Sequence, residues 1–143
     1  MSDRANQRNR IEFLVRVLAM AAAINCAIVP ILFAQQRPLF PLPGLYLIEI
    51  AMVGILGLAG SLSSGTFPPF WRAFPWLAAG VLMAFVALGG FSIGFYLIPA
   101  TIAFLLAGFL LNRSEKGLAK YIGLFLLMAI LQAALMVMLV QIA

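Results

Sequence analysis

Three polar side chains inside long apolar stretches of this 143-residue chain are the first places to look for chemistry. Glu49 carries a carboxylate that could bind a proton or a cation, and Asn25 and Gln132 carry amides that could hydrogen-bond a ligand. Ionisable groups are costly in hydrocarbon, and where they occur they are often functional. Glu49 is therefore the first candidate for an ion site, and the two amides are candidate ligand or helix contacts.

Each of these side chains also has a structural explanation. The predicted start of the apolar stretch that contains Glu49 is only about 6 Å away along the helix axis. Glu49 could therefore reach interfacial water, or it could pair with Arg37 across the loop that precedes this stretch, the predicted outer loop. Asn25 and Gln132 lie near the middles of their stretches, where an amide usually hydrogen-bonds to a neighbouring helix and contributes about 0.6 kcal/mol. Because no other acid, histidine or lysine lies at comparable depth, we favour the structural explanation.

The rest of the composition predicts no enzyme. The chain has no histidine, one cysteine and four acidic residues. It therefore cannot supply imidazole to haem or zinc, or build a thiolate cluster or a buried carboxylate pair. Cys26 has no second cysteine to pair with and lies in an apolar stretch, which is typical of a small buried side chain. We expect no catalytic residue, no cofactor and no metal.

Composition also gives the class of protein. Apolar residues make up 65% of the chain and charged residues only 9%, so lipid is the expected solvent and the chain is an integral membrane protein. The net charge of +5 does not indicate a nucleic-acid partner, because the basic residues bracket the apolar stretches instead of forming a face with interleaved aromatic rings.

The apolar stretches predict one all-α domain, residues 1–143, containing a small bundle of five transmembrane helices. A helix of about 20 residues crosses the hydrocarbon, and the predicted spans are 11–34, 45–62, 73–88, 92–111 and 118–142. We interpret the first span as a membrane anchor, because its apolar run extends beyond the length of a signal peptide. Gly89, Gly90 and Gly94 predict the turn between the third and fourth spans.

The basic residues predict the orientation of the bundle. With five spans, eight of the nine Lys and Arg residues fall on one side, and only Arg37 falls on the other. The positive-inside rule then places the N-terminus in the cytoplasm and the C-terminus outside. We expect a multi-pass protein of the plasma or inner membrane, bacterial in origin, whose cytoplasmic side meets anionic headgroups. The eight residues are Arg4, Arg8, Arg10, Arg16, Arg72, Arg113, Lys116 and Lys120.

Aromatic and capping residues mark the predicted ends of the spans. The proline-rich stretch 67–76 is expected to break helix continuity before the third span, with its rings at headgroup level. Ser92 and Ser114 are predicted helix caps, and Glu12 could pair with Arg16 one turn later. The predicted interfacial anchors are Trp71, Arg72, Trp76 and Tyr121.

Small residues at helical spacing predict close helix packing, since lipid gives helices no hydrophobic reason to associate. Whether these packing faces serve the chain's own bundle or a partner stays open at this point. They are Ala51, Gly54, Gly57 and Gly60 in the second span, Ala103 and Ala107 in the fourth, and Ala129 and Ala133 in the fifth.

Two functions are consistent with these features. The first is a non-catalytic accessory or structural subunit that packs within a larger membrane assembly, with an energy-transducing complex as one candidate. The expected partners are then other membrane subunits, because five helices in so short a chain leave little extramembrane surface. The alternative is a small homo-oligomeric transporter or channel that uses Glu49, Asn25 and Gln132 along its path.

Overall fold

The structure, a computed structural model, describes residues 2–35, 42–62, 69–90, 93–113 and 117–142, and its five helices account for nearly all of them. Each helix contains a stretch long and apolar enough to cross a membrane, which confirms the predicted number of spans and suggests a multi-pass membrane protein. The helices are α1 (Ser2–Phe33), α2 (Leu42–Leu62), α3 (Pro69–Leu88), α4 (Ile93–Asn112) and α5 (Leu118–Ile142).

Three helices, α1, α2 and α3, begin earlier than the apolar stretches suggested. α1 begins at Ser2 and not at Ile11, because no glycine or proline interrupts the polar residues that precede the apolar run. α2 begins at Leu42, three residues before the predicted start at Leu45. Hydropathy locates the part of a helix that suits hydrocarbon, whereas the helix itself extends as far as its backbone can hydrogen-bond. Ser92 and Ser114, the predicted caps, lie outside the described residues.

The prediction that prolines interrupt the chain up to Trp76 is wrong. α3 begins at Pro69 and runs through Pro75 without a break. Proline is well suited to the first position of a helix, where its missing N–H has no intrahelical partner. At Pro75 the helix loses one backbone hydrogen bond, to the carbonyl of Trp71, and the buried surroundings of the ring hold it in place.

Contacts between helices give the arrangement of the bundle. α1 packs extensively against α2 and α4, and α3 packs extensively against α4 and α5, while α2 and α3 touch more lightly. Residue pairs in contact show that α2 and α3 run antiparallel: Gly60 of α2 faces Trp71 of α3, whereas Tyr46 at the other end of α2 meets Phe85.

The bundle therefore has two ends, which we name after one residue each. The Arg72 end brings together Arg16, Ser61, Trp71 and Leu111. The Tyr46 end brings together Tyr46, Phe85, Ile93 and Gln141. Between the two ends, the fully buried side chains include Cys26, Ile50, Leu82, Leu97 and Phe104.

Gly54, Gly57 and Gly60 of α2 pack against the chain's own helices, which answers for these three residues the question that the sequence left open. A Cβ atom on Gly54 would lie 2.9 Å from the Cβ of Cys26 in α1. On Gly57 it would lie 2.8 Å from the ring of Phe104, and on Gly60 it would lie 2.5 Å from the ring of Trp71. These three glycines of α2 thus allow residues of three different helices, α1, α4 and α3, to pack closely against it.

The predicted glycine turn separates α3 from α4. α3 ends at Leu88, and the backbone N–H of Gly94 donates to the carbonyl of Gly89 at 2.8 Å. A Cβ atom on Gly94 would lie 2.5 Å from the carbonyl oxygen of Phe85, so only glycine allows the chain to reverse so tightly at this point.

We predict that Gly80→Ala destabilises the bundle. The new methyl group would lie 2.5 Å from the backbone carbonyl oxygen of Phe125 and 3.0 Å from the Cβ of Met128, so α5 must move away from α3. Overpacking of this kind costs about 1–3 kcal/mol, which a lower midpoint of thermal unfolding in mild detergent would report.

Gly123→Ala is the matched control, because it makes the same change in the second turn of α5, where no atom other than the adjacent backbone of α5 lies within 4 Å of the new methyl group. It should leave the midpoint unchanged or raise it, since alanine favours helix. Equal midpoints for the two variants would contradict this description of the contact between α3 and α5.

Candidate functional site

The structure brings together two of the three polar side chains that the sequence singled out. The side-chain amide Nε2 of Gln132 in α5 donates a hydrogen bond to Oε2 of Glu49 in α2, at 2.8 Å. Gln132 is 5% exposed, and Glu49 is partly buried. A partly buried carboxylate thus receives a donor from a different helix, and the bond joins two helices that are far apart in sequence.

Glu49 lies deeper in its helix than the sequence suggested. Because α2 begins at Leu42, seven residues of helix, or about 10 Å, separate Glu49 from the start. Arg37, the other predicted partner, lies outside the described residues, so its pairing with Glu49 stays a prediction.

A second polar contact joins the same two helices one turn nearer to the Tyr46 end. The hydroxyl of Tyr46 donates to the backbone carbonyl of Met136 at 3.4 Å, a long and therefore weak hydrogen bond. The ring of Tyr46 also meets the ring of Phe85 edge to face, with centroids 5.6 Å apart. Side chains, more than close backbone packing, thus connect α2 to α5.

A cleft of about 510 Å³ opens beside this second contact at the Tyr46 end of the bundle. Helices α2, α3, α4 and α5 all contribute to its wall, which is mostly apolar. Its volume falls within the usual range for small-molecule sites, about 300–1,000 Å³. The residues around it are Tyr46, Phe85, Leu88, Gly89, Ile93, Met136, Val137, Val140 and Gln141.

Asn25 does not share the hydrogen bond between Glu49 and Gln132. Its side-chain oxygen is buried and accepts no hydrogen bond from any residue that the structure describes. A buried acceptor without a donor costs about 1–3 kcal/mol. The three predicted polar residues therefore divide into one contacting pair and one separate amide.

Asn112 is a buried polar residue that sequence reasoning missed. It is fully buried, and its side-chain Nδ2 donates to the carbonyl of Arg72 at 3.1 Å and to that of Gly108 at 3.0 Å. The amide thus fastens the last turn of α4 to the first turns of α3. It lies one residue beyond the predicted end of the fourth span, and an amide at a helix end is suited to bonding free carbonyls.

The predicted interfacial anchors occupy different environments at the Arg72 end. Trp71 is partly buried and packs edge to face against Phe74, with ring centroids 5.5 Å apart. Trp76 is only 5% exposed, so its ring lies inside the bundle, where it stacks on Tyr121 with centroids 6.4 Å apart. Contact with headgroups stays a prediction for all four of these residues, Trp71, Arg72, Trp76 and Tyr121.

The ligand chemistry available to this site is limited. Among the described residues, no group of three or more His, Cys, Asp or Glu side chains could hold a metal ion. One carboxylate with an amide donor can bind a proton or a single positive charge, or it can serve only to hold two helices together. No family model, curated protein or solved structure matches the chain.

We predict that Glu49 and Gln132 stabilise the bundle jointly. Glu49→Leu, Gln132→Leu and the double variant form a thermodynamic cycle, and the coupling free energy should be about 0.6–1.7 kcal/mol, the range found for hydrogen bonds between membrane helices. Reversible unfolding in mixed micelles gives the four free energies of unfolding that the cycle needs.

Ser61→Ala serves as a control for this cycle, because its hydroxyl donates within its own helix, to the carbonyl of Leu58 at 2.8 Å. Combined with Gln132→Leu it should show additive effects. A coupling free energy near zero between Glu49 and Gln132 would mean that the hydrogen bond adds nothing to stability.

Proposed function

We propose that this chain is a non-catalytic subunit that packs against another membrane protein through one face of α5. The single observation that carries the proposal is the placement of Gly123 on an open face of that helix. Packing of this kind depends on the shape of the α5 surface and requires no catalytic group. An energy-transducing assembly stays one candidate for the larger complex.

α5 is much less covered than its neighbours. In its most apolar stretch only 11% of the residues are buried, against 33–56% in the other four helices. Lipid can cover large apolar side chains, so exposed leucine and isoleucine alone indicate no partner. On such a face, the small residues are therefore the ones that can indicate a partner helix.

Gly123 differs from six other glycines in the helices. A Cβ atom at any of six glycine positions would come within 3.0 Å of an atom from another helix or turn, so each glycine permits a close approach. At Gly123 nothing lies within 4 Å, although glycine costs about 0.5–1 kcal/mol relative to alanine inside a helix. A partner helix that crosses at this point would account for that cost. The six glycines are Gly54, Gly57, Gly60, Gly80, Gly94 and Gly108.

Photo-crosslinking in intact membranes tests this proposal. A photoreactive residue in place of Leu127, one turn from Gly123 and 60% exposed, should crosslink to a distinct membrane protein. Adding Gly123→Leu should remove most of that product, because the larger side chain prevents close approach of the partner. Adding Gly123→Ala should reduce the yield less.

The matched control is the same photoreactive residue at Ile55 of α2, which is 61% exposed. It should give lipid adducts and little of the protein product. The proposal fails if positions 55 and 127 give the same products, or if Gly123→Leu leaves the yield unchanged. A crosslink from position 127 to a second copy of the chain would instead favour the homo-oligomeric alternative.

We further propose that the Arg72 end faces the cytoplasm of a bacterial cell, in the plasma or inner membrane. Four basic side chains that the structure describes, Arg16, Arg72, Arg113 and Lys120, belong to this end of the bundle. Basic residues are retained on the cytoplasmic side of membranes, where anionic headgroups attract them.

Thiol labelling in intact cells checks this orientation. Ile142→Cys, near the end of α5 and 72% exposed, should react with a membrane-impermeant maleimide added outside. Asn6→Cys should react only after the cells are permeabilised. The native Cys26 is fully buried and should give a low background in both experiments. Labelling of Asn6→Cys in sealed cells would reverse the proposed orientation.

A further inference from the structure

The cleft at the Tyr46 end is lined by residues of this chain, whether or not α5 also has a partner. We propose that it binds lipophilic organic cations, with their charge directed toward Glu49 and their apolar groups against the cleft wall. Three features support this assignment: the size of the cleft, the rings in its wall, and the distribution of charge at this end of the bundle.

The wall of the cleft is suited to a bulky apolar cation. Its volume of about 510 Å³ can hold a molecule with several rings. Tyr46 and Phe85 place two aromatic rings there, 5.6 Å apart at their centroids. Aromatic faces attract cations, by about 2 kcal/mol or more where water is excluded. Leu88, Met136 and Val137 supply the remaining apolar contact.

The charge near the cleft favours a cation over an anion. Glu49 lies one turn from Tyr46 along α2, and Gln132 lies one turn from Met136 along α5, so the hydrogen-bonded pair is directly deeper than the cleft. The basic side chains that the structure describes belong to the opposite, Arg72 end. In a medium of low dielectric constant, a carboxylate attracts a positive charge over this distance.

The contact between Tyr46 and Met136 separates the cleft from the carboxylate. Because the hydrogen bond is 3.4 Å long, it is weak enough for a ligand to displace. Rotation of the Tyr46 side chain would then bring a bound cation closer to Glu49. The ring of Tyr46 would contact the ligand before and after this movement.

Two ions of nearly the same shape and opposite charge test the proposal. The chain is reconstituted in nanodiscs of zwitterionic lipid, and binding of radiolabelled tetraphenylphosphonium is measured by equilibrium dialysis, with empty nanodiscs subtracted. We expect saturable binding of tetraphenylphosphonium and no saturable binding of tetraphenylborate. Saturable binding of both ions with equal affinity would overturn the proposal, since charge would then play no part.

Substitutions locate the site. Glu49→Gln removes the charge but keeps an oxygen that can accept the bond from Gln132, and it should weaken tetraphenylphosphonium binding about tenfold, or about 1.4 kcal/mol. Val137→Trp fills the cleft and should abolish binding, whereas Met138→Trp, the next residue, lies outside the cleft wall and should leave binding unchanged.

These variants also separate the possible failures. Unchanged affinity in Glu49→Gln would overturn the role of the carboxylate, and unchanged affinity in Val137→Trp would overturn the cleft as the site. If Glu49→Gln does not fold, the two ions and the tryptophan pair at positions 137 and 138 still decide the question. The crosslinking experiment on α5 is independent of every one of these results.

Discussion

Apolar helices in lipid gain little by leaving it, so a bundle of this kind depends on how closely its helices can approach one another. In this protein glycines provide that approach, and several of them admit an aromatic ring or a backbone segment from a neighbour. Gly57 receives the ring of Phe104, Gly60 that of Trp71, and Gly108 that of Trp76. The rings then pack on one another, as where Phe74 and Phe104 meet edge to face at 6.0 Å.

The polar contacts depend on the spacing that this packing sets. α2 is held by α1, and α5 is held by α3, which leaves a gap between α2 and α5 that only long side chains can cross. Glu49 and Gln132 cross it at one level, and Tyr46 reaches Met136 at the next. The same pair can therefore stabilise the bundle and provide a negative charge beneath a cleft, and neither role excludes the other.

Much of the fold could be predicted because it follows from local properties of the chain. The number of helices follows from the length of each apolar run, and the turn at Gly89 and Gly94 follows from the conformational freedom of glycine. The helix starts were less predictable. Hydropathy says where hydrocarbon suits a helix, whereas Ser2 and Pro75 are helical because their neighbours allow the backbone to continue.

By itself, the sequence determined that five apolar helices form and that Glu49, Asn25 and Gln132 place one carboxylate and two amides within them, since both depend only on residue type and spacing. Tertiary structure alone decided that Glu49 meets Gln132 while Asn25 stays apart, that three glycines of α2 serve the chain's own bundle, and that Gly123 faces open space. The physical reason is that a helix of uniform hydropathy does not specify which face it turns to which neighbour. That choice is made when several helices pack together.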